Sequence, residues 1–154
     1  MPSEKKLTES PLMTARFNRI SPAKHDHFVF ITGESGIIDV FERIKSKLRN
    51  ETDSCLTLVY FTSAYLSQPL FKAELESLEK RFPSKLITHY LFVRTQNHPE
   101  NIEGHQQILE IVINSNTSST MQFLILGSEE MVSSVTDRLH FLGVKSNHIH
   151  SQII

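Results

Sequence analysis

Apolar residues in this chain fall into short unbroken runs, separated by stretches where they recur every three or four positions. "HFVFIT" (27–32), "CLTLVYF" (55–61), "KLITHYLFV" (85–93) and "MQFLILG" (121–127) are runs of strand length. Their lack of strict polar alternation is the pattern of strands covered on both faces. Between them, "SGIIDVFERIKSKLRN" (35–50) carries Ile37, Phe41, Ile44 and Leu48 at helical spacing, with an acidic start and a basic end that suit the helix dipole. "SQPLFKAELESLEKRFP" (67–83) predicts a second helix, with Leu70, Phe71, Leu75, Leu78 and Phe82 on one stripe, Pro69 in the first turn and Pro83 at the end. A polar loop from Arg94 leads to a helix bearing Ile108, Leu109, Ile111 and Val112. "EEMVSSVTDRLHFLG" (129–143) is a further helix, stopped by Gly143, and "HIHSQI" (148–153) a short last strand.

Regular alternation of strands and helices predicts an α/β fold, a three-layer Rossmann-like open sheet of about five parallel strands with helices on both faces. Ligands of such sheets bind beyond the carboxyl ends of the strands, near the reversal of strand order. The polar stretch before His27, with Pro2, Pro11 and Pro22, divides the chain into an arm (1–26) and a domain (27–154).

Composition narrows the classes. The chain has 154 residues, 39% of them hydrophobic and 21% charged, with a formal net charge of −1. That fits one soluble domain and gives no basic excess for nucleic acid. No apolar run reaches the roughly 18 residues of a membrane span, and the N-terminus has no apolar signal region, so a cytoplasmic protein is expected. Cys55, the one cysteine, has apolar neighbours and is expected to be a buried thiol.

The candidate chemistry lies in "TGESGII" (32–38). Gly33, Ser35 and Gly36 form a strand–turn–helix junction whose bare N–H groups suit phosphate. Glu34 stands in the same turn, either facing the ligand or turned out to solvent. At about 5 Å and an effective dielectric near 20, its charge would oppose a phosphate by roughly 3 kcal/mol. Ser35 lacks the surroundings of a nucleophile and reads as a helix cap. His25 with His27, and His148 with His150, each share a strand face, but two imidazoles without Cys or carboxylates do not make a metal site. No metal is expected.

In the order and spacing of these blocks, the chain resembles the pyridine-nucleotide-binding domain of the ferredoxin–NADP reductase family of flavin oxidoreductases. "FVFITGESGIIDVFERI" is similar to that family's strand–GGSGITP–helix, "LTLVYFTSAYLSQPLFKAELESLEKRFP" to its second strand, loop and helix, and "FLILGSEEMVSSVTDRLHFLGVKSNHIH" to its CGPxxM motif and ending. The resemblance covers residues 27–154 and implies NAD(P) as cofactor, held by Gly33, Ser35, Gly36 and Gly127. Arg94 matches an arginine that grips the ribose phosphate in NADP-preferring members. Glu34 replaces a motif glycine, Leu126 stands where the family has a cysteine near the nicotinamide, and Ser128 replaces a proline. Such enzymes place an FAD-binding barrel ahead of this region, and no flavin motif precedes residue 27. The resemblance therefore implies that FAD is not bound by this chain alone and that electron transfer needs a flavin-domain protein. No catalytic residue is assigned. The rival expectation is a degenerate, non-catalytic interaction or homodimerisation module, with Phe61 and Tyr65 exposed on the loop beside the site.

Overall fold

A computed structural model describes residues 27–50, 55–63, 68–93 and 121–154. The N-terminal arm (1–26), Arg94, Tyr65 and the helix expected around Ile108 lie outside the described residues. Among the described residues there are five strands: β1 (His27–Thr32), β2 (Cys55–Ser63), β3 (Leu86–Val93), β4 (Met121–Gly127) and β5 (Ile149–Ile153). They form one sheet in the order β3-β2-β1-β4-β5, with all four pairings parallel. Strand order reverses between β1 and β4, as expected of a doubly wound sheet.

The strands divide their side chains between two cores. Phe28, Phe30, Leu56, Leu58, Tyr60, Leu124 and Leu126 meet helices α1 (Ile37–Asn50) and α2 (Lys72–Arg81). On the opposite face, Val29, Ile31, Val59, Phe61, Phe123 and Ile125 meet α3 (Glu129–Phe141) through Met131, Val132, Val135 and Leu139. β1 and β4 are buried along their whole length, which is why neither shows polar alternation. Two cations of α1 are buried as well. Lys47 lays its ammonium 4.0 Å from the centre of the Phe28 ring, and Arg43 pairs with Asp39 at 3.1 Å. Burial lowers the Arg43 pKa to about 10.

Helix α2 is shorter than the 67–83 expected. Residues before it are pinned in a turn: Lys72 N–H donates to Pro69 O at 3.1 Å, and the Tyr60 hydroxyl donates to Leu70 O at 3.1 Å. Phe71 takes a left-handed backbone (φ 68°) and stacks flat on Phe41, ring centres 4.3 Å apart. An aromatic at positive φ is uncommon, and here the ring stack offsets the backbone strain. This geometry turns Leu70 outward, 49% exposed, instead of onto the buried stripe. Helix α3 ends as expected, with Gly143 at φ +97°. Its start is capped by Ser128, whose hydroxyl accepts from Met131 N–H at 3.2 Å.

Two smaller expectations are corrected. Cys55 is half-exposed, with its thiol 3.8 Å from Ser84 O, because it opens β2 at the edge of the core. His148 lies in a 3-10 turn (Ser146–His148) and not on a strand with His150. Its Nδ1 lies 3.1 Å from Met121 O, while His150 Nε2 lies 3.2 Å from Gln122 Oε1. Among the described residues, no helix is long and apolar enough to cross a membrane.

Candidate functional site

The β1–α1 turn sits at the carboxyl rim of the sheet, beside the reversal of strand order. Thr32 is buried and its hydroxyl donates to Gly33 O at 3.2 Å, while Gly36 N–H closes the turn on the same carbonyl at 3.3 Å. Gly36 O accepts the first helical bond, from Val40 N–H at 3.1 Å. Gly36 therefore occupies the cap position, and Ser35, expected to cap the helix, stands one residue earlier and exposed. The amides of Ile37, Ile38 and Asp39, which open α1, have no acceptor within the helix.

Gly36 has no room for a side chain. A Cβ there would overlap the Thr32 hydroxyl and come within 3.0 Å of both Leu126 Cβ and Ile154 Cδ1. This is the close helix–strand approach that a fingerprint glycine permits. Gly127, at the end of β4, is confined too: a Cβ would lie 2.6 Å from Met131 Sδ, and its carbonyl accepts from Ile154 N–H at 2.9 Å. The structure thus brings Gly33, Ser35, Gly36 and Gly127 to one rim across β1 and β4. Arg94, the remaining residue of the expected set, lies outside the described residues.

Glu34 is half-buried, and its carboxylate has a partner on β2. The β1–β2 register ends with the pair Thr32 and Tyr60, and Glu34 lies in the turn that follows, near the end of β2. There the buried Thr62 hydroxyl donates to Glu34 Oε2 at 3.0 Å. This bond ties the β1–α1 turn to the end of β2. Sequence reasoning missed Thr62, although its place two residues beyond Tyr60 on the same strand face was a readable signal.

Burial pushes the Tyr60 hydroxyl up to about 12, and the nearby Glu34 charge adds to the shift. Tyr90, paired with Tyr60 across β2 and β3 with ring centres 5.9 Å apart, is likewise raised to about 12, mainly by burial. A tyrosine whose folded pKa exceeds its unfolded value of about 10 binds more protons when folded between those values. Stability from this pair is fully present below pH 10 and declines as pH rises toward 12, by up to about 1.4 kcal/mol per unit per tyrosine. Thermal melts from pH 8 to 12 should be level at first and then fall. Tyr60→Phe should flatten part of that fall.

Phe61, expected to be exposed as an interface residue, is only 1% exposed and packs under α3. Phe61 is the last residue of the apolar run 55–61, and because β2 continues two residues beyond it to Ser63, it lies within the strand and faces the core instead of the loop. Apolar exposure at this rim comes instead from Ile38 (60%), Ile153 (54%) and Ile154 (54%). No group of three or more His, Cys, Asp or Glu placed to hold a metal occurs among the described residues.

No family model matches the chain. NADH-cytochrome b5 reductase 2 of Botryotinia fuckeliana is 22% identical over 121 residues, covering 75% of this chain and 34% of that protein. NADH-cytochrome b5 reductase 1 of Candida glabrata is 26% identical over 129 residues, 82% of this chain and 45% of its own length. Among solved structures, ferredoxin–NADP+ reductase from Plasmodium falciparum matches with a TM-score of 0.65 at 19% identity, covering 84% of this chain and 52% of that one. The CS-b5R domains of human Ncb5or, in an NAD+ form, match with a TM-score of 0.65 at 16% identity, covering 83% and 37%. The resemblance to the nucleotide-binding part of the ferredoxin–NADP reductase family therefore holds in sequence and in fold, and the chain spans roughly a third to a half of the length of these relatives.

Proposed function

We propose that this chain is the NAD(P)-binding domain of a ferredoxin reductase-like or cytochrome b5 reductase-like oxidoreductase, working with a flavin domain supplied by another polypeptide. The observation that carries this reading is the β1–α1 turn at the strand-order reversal, with Gly36 seated where no side chain fits. A diphosphate fits such a rim, because the opening amides of α1 supply donors and the positive end of its dipole. Gly33, Ser35 and Gly36 line the diphosphate, Gly127 lies beside the nicotinamide ribose, and Arg94 approaches the adenine ribose. A bound nicotinamide supplies the hydride, and the flavin that exchanges it comes from outside residues 27–154. The named residues bind and orient, so the domain alone is inactive in this reading. A cytoplasmic setting belongs to the same reading.

A ligand that binds only the folded chain must stabilise it, by about 2.7 kcal/mol at a hundred times its Kd. NADH or NADPH at millimolar concentration should therefore raise the melting temperature by several degrees, roughly 2–4 °C per kcal/mol for a chain of this size. An unmoved melt with both nucleotides overturns nucleotide binding. The exposed Ile38, Ile153 and Ile154 beside the turn favour the second reading, a non-catalytic interaction or homodimerisation module. In that case the same melts stay unmoved and sedimentation shows concentration-dependent association.

A further inference from the structure

We propose that β5 is a self-pairing edge, through which two copies of this chain join antiparallel about a two-fold axis at Ser151 and merge their sheets into one. This gives a surface to the homodimerisation reading above. It is compatible with nucleotide binding, so melts with NADH and NADPH judge that function and sedimentation judges this contact.

The strand order leaves two edges among the described residues, β3 and β5. An open edge offers unpaired N–H and C=O groups to another strand, and proteins blunt such rows with charge or proline. β3 is blunted at Thr88, whose N–H donates to Glu79 Oε2 of α2 at 2.7 Å. β5 carries no such device in its own sequence: "IHSQI" (149–153) holds no Asp, Glu, Lys, Arg or Pro, and Ser151 and Ile153 are exposed. Ile154 N–H donates inward to Gly127 O at 2.9 Å. Alternate residues of a strand turn to opposite neighbours, so His150 and Gln152 also face β4 with their backbone groups. Ile149, Ser151 and Ile153 present their N–H and C=O groups outward.

The occupant that suits this edge is a second copy. The five residues read apolar, polar, small, polar, apolar in either direction, the self-complementarity that a two-fold contact requires. With Ser151 opposite Ser151 of the second copy, the outward groups of Ile149, Ser151 and Ile153 meet those of Ile153, Ser151 and Ile149 as hydrogen-bonded pairs. Ile149, packed against the α3 core, then lies across from the 54% exposed Ile153 of the second copy, while His150 faces Gln152 on the other side of the sheet. No like charges oppose each other along the pair. Because the β3 edge is blunted, pairing at β5 closes the assembly at two and does not propagate. Two five-residue edges bury little area, so the dimer is a weak one, with a Kd of roughly 10–100 μM.

Sedimentation equilibrium of the full chain between about 5 and about 500 μM tests this: the mean mass should rise from one chain toward two across that range. Over the same range, hydrogen exchange at the amides of Ile149, Ser151 and Ile153 should slow by roughly threefold or more, while the Gln152 amide, already turned to β4, stays unchanged. Ser151→Pro removes an outward N–H without touching the β4 ladder, and should raise the Kd at least about tenfold. Ser151→Lys sets two like charges on the axis and should do the same. Should the proline variant fail to fold, by circular dichroism, the lysine variant decides. A chain still monomeric at about 500 μM overturns the proposal, as does a dimer that Ser151→Lys leaves intact or one without protection at the three outward amides. None of these results bears on nucleotide binding, which the melts decide.

Discussion

Phe30→Ala is expected to cost about 3–5 kcal/mol, the range for truncating a fully buried aromatic. Phe30 is 0% exposed in the middle of the central strand, paired in register with Leu58 of β2 and Leu124 of β4, on the face that meets α1 and α2. Strand neighbours on both sides fix the backbone, so the surrounding residues cannot collapse into the space left behind. Domains are stable by only about 5–15 kcal/mol, and the loss therefore consumes a large share. The melting temperature should fall by roughly 10 °C, read by circular dichroism with urea unfolding as a check. A change below about 1 kcal/mol would mean that the β1 core is far looser than this packing indicates.

The second large effect is at Gly36. One added methyl meets the Thr32 hydroxyl, Leu126 Cβ and Ile154 Cδ1, and the first two stand on strands that cannot retreat. Overpacking of this kind costs about 1–3 kcal/mol. Gly36→Ala should therefore lower the melting temperature by several degrees. It should also lift the opening turn of α1 off the sheet, abolishing any nucleotide-induced shift. The paired outcome is informative: Phe30→Ala lowers stability but leaves the ligand shift, whereas Gly36→Ala removes both. A Gly36→Ala chain that melts normally and still responds to nucleotide would contradict the close approach seen here.

Much of the architecture was legible one-dimensionally. β1 and β4 coincide with their apolar runs, because strands buried on both faces leave no polar position to blur their ends. Gly143 marked the end of α3 because a positive φ there favours a residue without a side chain. Gly33 and Gly36 were readable as a tight strand-to-helix turn for a similar local reason. Where the reading failed, the cause was distant in sequence. Phe61, the last residue of its apolar run, was expected to be exposed where the loop begins, and a run buried on both faces gives no alternation to show that β2 continues beneath α3. Leu70 had the spacing of a core residue, but the left-handed Phe71 and the Tyr60 hydroxyl hold its segment in a turn.

Residue order alone settled the class of fold, the positions of four parallel strands and the glycines of the turn, since these depend on local periodicity and backbone freedom. Tertiary structure decided where the Glu34 charge goes. Thr62, which donates to it at 3.0 Å, is 28 residues away, and the parallel pairing of β1 with β2 brings the β1–α1 turn to the end of β2.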